Sequence, residues 1–282
     1  MTFQKAQSGK RYLRMAIAGI SKTGKTLTAL KIAKEFGKKV AVVDSEYGTS
    51  TLYANEYDFD VLMLDDYDPL KYVEAIQDAE RSGYDVLIID SISHEWAGKN
   101  GVLEQVDRTE NKAGGKFASG WKDLTPRHNR FIDALLAARL HLIVTMRMKT
   151  DYAMTDGGKV VKLGLGVVQR DNVEYEFDIL AQMDLSNTMH ITGTRCPEIR
   201  GASYPEPAGP EVAQPIKDWL AGKVVAVDRR IIADFEVLKK NVPKEKWDEV
   251  MRQFSIEGPE GFVNRQQALQ AFQLLSAAQG KK

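Results

Sequence analysis

Residues Gly19 to Thr26, reading GISKTGKT, constrain this chain more than any other stretch. An apolar run at 13–18 precedes them, and LTALKIAKEF, rich in good helix formers, follows. A G-x-x-x-x-G-K-[ST] pattern between a strand and a helix forms a phosphate-binding loop. Gly19 and Gly24 let the backbone curl, so that the N–H groups of Ile20, Ser21, Lys22 and Thr23 converge on an anion. The helix N-terminus adds partial positive charge. Lys25 is expected to reach the β- and γ-phosphates of a nucleotide, and the Thr26 hydroxyl to bind Mg2+. The alternative, a glycine-rich turn that binds nothing, leaves the strand and helix on either side unexplained.

A chain folded around such a loop needs an α/β core, and the apolar pattern supplies one. Short runs at 13–18, 39–44, 60–64, 86–90 and 141–146 alternate with helical patterns at 25–35, 69–81 and 126–139, the signature of βαβ units and a mainly parallel sheet. Two further strands around 175–183 and 189–195, joined by LSNT, predict a β-hairpin extension. Four prolines between Pro205 and Pro215 read as a connector, with a short helix at 216–220. Three helical patterns follow from about 227 to 278, broken by NVPKE and IEGPEG, with Trp247, Phe254, Phe262 and Phe272 as a small core. The expected organisation is an N-terminal tail (1–11), an ATPase core (12–204), a proline-rich connector (205–225) and a C-terminal helical region (226–282).

The second strand end that matters is YDVLIID followed by SISHEW. Four consecutive apolar residues indicate a strand buried on both faces. Asp90 at its carboxyl end sits where open α/β sheets bind ligands and is expected to hold Mg2+ through water. A strand-end aspartate also caps helices; the phosphate loop favours the metal role. A third strand ends in Asp44-Ser45-Glu46, with Tyr53 seven residues beyond the glutamate.

The order of phosphate loop, strand ending in D-x-E, strand ending in Asp-Ser, and strand running into R-M-K resembles the RecA-like P-loop ATPase core. IVTMRMKTDY, VVQRDNVEYEFD and TGTRCPEIRG narrow the resemblance to phage-encoded RecA-like ATPases of the AAA type, some of which serve single-strand annealing and recombination. The resemblance spans about residues 12 to 201. It implies that the chain binds and hydrolyses ATP with Mg2+, assembles as a ring or filament, and acts on single-stranded DNA. It makes Glu46 the carboxylate that positions or activates the attacking water, a role hydrolysis requires of some carboxylate near the γ-phosphate. Glu95, five residues past Asp90, is the rival. Tyr53 corresponds to the aromatic that stacks on adenine, or else packs on the sheet. Arg195 corresponds to a basic residue given to a neighbouring subunit's nucleotide, or else belongs to a surface ion pair. RecA ends its fifth strand in Asn-Gln; here Val144-Thr145-Met146-Arg147 stand there, so Thr145 and Arg147 are the candidates for contact with phosphate or the attacking water.

Residues 106–130 and 147–171 lack regular patterning and read as two long loops. They carry Lys112, Lys116, Lys122, Lys149, Lys159 and Lys162 with Phe117, Trp121 and Tyr152 between them. Cations that track a backbone and rings that stack on bases suit single-stranded DNA. Acidic neighbours such as Asp107 and Asp156 leave a solvated or subunit-contacting loop as the alternative. Phe3-Gln4-Lys5-Ala6 resembles an F-x-x-A self-assembly segment of some RecA relatives, and a single-strand-binding protein is a further expected partner.

Bulk composition bounds these readings. Lys plus Arg and Asp plus Glu are both 39, so any nucleic-acid contact must come from local patches. The single cysteine, Cys196, excludes an intramolecular disulfide and a Cys-based zinc site. The histidines show no metal-ligand spacing. With no apolar run of signal-peptide or membrane-span length, the expected location is cytoplasmic, in a bacterial host if the protein is phage-encoded. Two other functions stay open: a P-loop kinase acting on a small molecule, and an ATP-gated protein-interaction module.

Overall fold

The computed structural model describes residue 5 and residues 11–112, 119–154, 160–206, 209–222, 229–262 and 265–279. The chain divides into two compact units, one spanning Arg11–Lys217 and one containing Asp218–Lys282.

The first unit is built on β1 (Arg14–Gly19), β2 (Val40–Asp44), β3 (Asp60–Met63), β4 (Val86–Asp90), β5 (His141–Met154), β6 (Val160–Val167), β7 (Ile179–Met183), β8 (Thr188–Thr194) and β9 (Ser203–Pro205). The sheet runs β3-β2-β4-β5-β1-β7-β8-β9, with β6 paired to β5. From β3 to β7 every pairing is parallel; β8 and β9 add antiparallel strands at one edge. Every residue of β1, β2 and β4 is buried, as expected of near-continuous apolar strands covered on both faces.

Helices α1 (Lys25–Phe36), α2 (Pro69–Arg81), α3 (Ser93–Ala97), α4 (Val102–Lys112), α5 (Ser119–Ala137) and α6 (Gly209–Leu220) accompany the sheet. Asp68 caps α2, accepting from the Leu70 N–H at 2.8 Å, and Pro69 takes the first position, where no N–H is needed. Tyr72, Ile76, Phe131 and Leu135 bury against the strand side chains Leu87, Ile89, Leu142 and Val144 in one core. Arg14 closes the far end of α5: its guanidinium donates to the carbonyls of Leu136, Ala138 and Leu140. Leu136 lies in the last turn of α5 and the other two carbonyls just follow it, at a helix C-terminus where a cation is favoured.

Three expectations for this unit need correction. Residues 106–130 are no long loop: α4 and α5 occupy much of that span, and α5 begins at Ser119 with Pro126 inside it. The strand expected to end at Met146 continues to Met154 and turns back as β6, so a second hairpin stands where irregular backbone was expected. The connector is helical from Gly209, with Pro210 in the first turn and Pro215 in the interior.

The second unit contains α7 (Arg229–Lys239), α8 (Lys244–Gln253) and α9 (Arg265–Gln279). Phe235, Trp247, Phe262 and Leu275 are buried at its centre, with Phe254 and Phe272 packed against them. Phe235 meets Trp247 and Phe272 edge to face. Among the described residues, no helix is long and apolar enough to cross a membrane.

Candidate active site

Register gathers the site. In the parallel pairs Asp44 stands opposite Asp90, Ile17 opposite Thr145, and Gly19 opposite Arg147. The carboxyl ends of β1, β2 and β4 therefore lie along one edge with Thr145 and Arg147 of β5, the edge at which open α/β sheets bind ligands.

The phosphate loop leaves β1 at Gly19, where an added Cβ would stand 2.7 Å from Thr23 Oγ1, so no side chain is admitted. Thr23 is fully buried and donates to the Ile20 carbonyl at 2.9 Å. Gly24 enters α1 with φ +83°, a left-handed conformation suited to glycine, and gives the helix no side-chain cap. The first N–H groups of α1 are thus left to a ligand, the arrangement that binds phosphate. Lys25 Nζ folds back 2.8 Å from the Ile20 carbonyl oxygen; burial lowers its pKa, while Asp90 and Glu46 pull the other way.

Asp90 is buried and receives two hydroxyls at 2.5 Å, Thr26 on Oδ2 and Thr145 on Oδ1. Burial pushes its pKa up against those two hydrogen bonds. Among the described residues no lysine or arginine forms an ion pair with it. A buried carboxylate next to a hydroxyl, with no protein cation on either, fits a divalent cation, and Thr26 and Asp90 would hold Mg2+. Thr145 is fully buried; its hydroxyl serves Asp90 and does not face the cavity. The Asp90–Ser91 peptide is cis.

Asp44 organises the turn after β2. Its Oδ1 accepts the N–H groups of Glu46 (2.7 Å) and Gly48 (3.1 Å); its Oδ2 accepts the N–H of Ser50 (2.9 Å). That turn presents Glu46, whose carboxylate is gripped by Arg147 from β5: Nε donates to Oε1 at 2.7 Å and Nη2 to Oε2. Ser91 Oγ adds a bond at 3.3 Å. Burial opposes the charge, but the Arg147 bonds and charge win and hold Glu46 below its ordinary 4.5. Ser93 Oγ accepts the Arg147 N–H at 2.9 Å. His94 lies behind this turn with Nδ1 2.8 Å from Ser45 Oγ, its ring stacked on Tyr67, and burial with the Arg147 charge lowers its pKa.

One cavity of about 570 Å3 is lined by Ser21, Lys22, Gly24, Lys25, Thr26, Glu46, Tyr53, Asp90 and Arg147 among others. The structure thus brings the loop, the acidic residue of D-x-E and the aromatic of the following 3₁₀ turn into one space. Glu95 lies elsewhere. It is fully buried on α3 with Oε1 3.0 Å from His128 Nδ1, and its Oε2 accepts from Gln169 Nε2 at 3.1 Å.

Arg195 is placed far from the loop of its own chain. It follows β8 and pairs with Asp178 at 2.8 Å, beside the amino-terminal ends of β7 and β1. Of the lysines expected to meet DNA, Lys122 and Lys149 are exposed, Lys112 ends α4 and Lys162 lies in β6. Lys116, Lys159 and Phe3 lie outside the described residues. The sequence reading missed Asp44 as organiser of the Glu46 turn, although an aspartate two residues before the glutamate was its visible signal. It also missed the Glu46–Arg147 pair, for which no local signal exists.

A doubly covered parallel sheet with this loop and Asp90 at its carboxyl edge defines a P-loop nucleotide-binding protein. A model of the AAA domain matches residues 11–202, more than half of the chain, and the chain belongs to that family. The family is one of AAA-type P-loop ATPases, so ATP binding and hydrolysis are the general activity indicated. No curated protein matches the chain.

Proposed function

We propose that this chain is a Mg2+-dependent ATPase of the RecA-like, phage-encoded kind that works on single-stranded DNA in recombination or annealing. The observation that supports it is the placement of Lys25, Glu46, Asp90 and Arg147 on one cavity, with β5 running from Arg147 directly into the β5–β6 hairpin.

The geometry of these four residues suggests the order of events. Lys25 leaves the Ile20 carbonyl for the β- and γ-phosphates, a stronger, charge-assisted partner. Arg147, which grips Glu46, meets a second claimant in the γ-phosphate and releases the carboxylate toward water. Glu46 takes a proton as the water oxygen bonds to the γ-phosphorus and the bond to the bridging oxygen breaks, giving ADP and phosphate. Bound Mg2+ would add charge stabilisation of the phosphates. Thr26 and Thr145 fix the Asp90 carboxylate by its two oxygens. Tyr53 flanks the cavity where an adenine ring would stack.

Because the Arg147 carbonyl accepts the Val168 N–H at 2.8 Å, a shift of Arg147 is transmitted to both strands of the hairpin. Lys149 and Lys162 ride on those strands and track the DNA backbone, with Lys112, Lys116, Lys122 and Lys159 as the remaining cations. Self-assembly into a ring or filament belongs to this reading. A trans role for Arg195 then requires the neighbour to stand against the amino-terminal edge of the sheet, and a single-strand-binding protein is the natural further partner.

The test is ATP turnover with and without oligo-dT at several protein concentrations. Turnover that rises with DNA and with concentration, and vanishes with nucleotide binding in Lys25→Ala, is expected. Turnover indifferent to DNA would sink the single-strand reading, and phosphate transfer that needs a small-molecule acceptor would make the protein a kinase.

A further inference from the structure

A second cleft opens on the first unit, walled by Trp96 of α3, Trp121 of α5, Lys149 of β5 and the segment after β6 that carries Gln169 and Arg170. Its volume is about 690 Å3, within the range of small-molecule sites. We propose that this cleft binds one unstacked nucleobase together with its phosphate, as a unit of a single strand. The proposal rests on the single-strand reading above and names the residues that would carry it.

Three observations support this ligand. The two tryptophans are half-buried with ring centroids 5.9 Å apart; each packs one side on the small core of Val102, Val106 and Leu124 and still lines the cleft. An aromatic held from behind is a rigid stacking platform, tolerant of any base. Two cations, Lys149 and Arg170, line the same space against one carboxylate, Asp171. Arg170 is steered by Asn129, whose Oδ1 accepts from Nη1 at 3.3 Å. Rings and cations around one polar hollow match a base and its phosphate better than they match an apolar ligand.

The cleft also continues. Asn129, Arg170, Asp171 and Asn172 line a neighbouring cavity of about 380 Å3 beside α5. A free mononucleotide would fill one hollow; a strand has further units for the next, and on that ground the structure favours the polymer. The cleft wall reaches the ATP site as well. Gln169 is buried and donates to the Ile92 carbonyl at 3.0 Å and to Glu95, and the next residue, Ser93, holds the Arg147 backbone N–H.

The experiment measures full-length protein binding to fluorescein-labelled (dT)20, to an abasic oligomer of the same length, and to dTMP through tryptophan quenching. Trp121→Leu should weaken (dT)20 binding about tenfold and leave abasic binding unchanged, while Trp121→Phe keeps near-wild-type affinity. The phenylalanine variant keeps a ring against the small core, so it separates stacking from folding. Lys149→Gln with Arg170→Gln should weaken both oligomers and lower the salt slope by about 0.7, the share of the one phosphate held in the cleft. Equal (dT)20 binding by wild type and Trp121→Leu overturns the cleft and leaves the single-strand reading standing. If wild type ignores (dT)20 while dTMP quenching is present and lost in Trp121→Leu, the single-strand reading falls and the cleft is a site for free nucleotides. Silence from both probes overturns both.

Discussion

Glu46 and Glu95 each lie just beyond the end of a parallel strand, yet the fold treats them in opposite ways. Glu46 lines the phosphate-loop cavity and is paired with an arginine that is itself half exposed. Glu95 is sealed among His128, Gln169 and the apolar floor of α3 and α5. Arg147 holds the Glu46 carboxylate ionised; burial pushes the Glu95 pKa up despite its hydrogen bonds. A carboxylate that must act on water needs access to a reacting atom and a partner that can let go. Glu46 has both. Glu95 has partners that fix a wall.

The most damaging change to this contrast is removal of the Glu46 charge. Glu46→Gln should bind ATP normally and hydrolyse it about a hundredfold more slowly, the scale for losing a general base. Glu95→Gln, measured in the same single-turnover assay, should stay within about threefold of wild type, since no reacting atom lies near it. Reversal of the two phenotypes would hand the catalytic role to Glu95.

How much of this was legible in the sequence follows from the range of the forces involved. The loop, Asp90 and Glu46 were readable because each is a local pattern: glycines at fixed spacing, and acids at the ends of strands fully buried in the fold. The Glu46–Arg147 pair was not, because 101 residues separate the partners and only sheet register brings them together. Proline misled twice. Pro126 looked like a helix start, yet α5 runs through it and gives up one backbone bond, because Leu124, Phe131 and Leu135 bury along the same helix. Pro215 sits in α6 between Val212, Ala213 and Ile216, all buried, and tertiary packing again overrides the local cost. The β5–β6 hairpin escaped notice because β6, VVKLGLGV, is rich in glycine and interrupts its apolar alternation.

Arg147 tests the contrast from the other partner. In Arg147→Ala, Glu46 keeps its burial and loses its counter-charge, so its pKa in the free enzyme rises and the acid limb of kcat/KM moves to higher pH. The rate at the plateau should fall on the order of a hundredfold, as expected when one donor to the transferring phosphoryl group is lost. Arg147→Lys should restore the acid limb in part, since a point charge replaces a two-pronged grip. An unmoved acid limb in Arg147→Ala would mean that the pair does not govern Glu46.

On the Glu95 side the effect is structural. Glu95→Ala leaves the Gln169 amide and the His128 ring short of a buried partner, at a cost of about 1–3 kcal/mol in urea melts. ATP turnover per folded molecule should survive. Full stability in the alanine variant would show that the cluster is satisfied without the carboxylate.

The smallest effect is the most discriminating, because the two residues should give opposite signs. Stability rises with pH wherever the unfolded chain binds more protons than the native one. Glu46 has a native pKa below its ordinary 4.5, so its contribution is fully present above that value and is lost as pH falls through the native pKa. Glu95 has a native pKa above 4.5, so the folded protein takes up its proton first. Relative to Glu95→Gln, wild type should therefore gain stability as pH falls from the native pKa toward 4.5. Urea melts of wild type, Glu46→Gln and Glu95→Gln at several pH values between 7 and 3.5 read both windows. The Glu46 gap should stay level down to about 4.5 and narrow below it, whereas the Glu95 gap should change above 4.5 and in wild type's favour. Two gaps moving in the same direction would mean that the surroundings of these carboxylates do not differ in the way that makes one reactive and the other a wall.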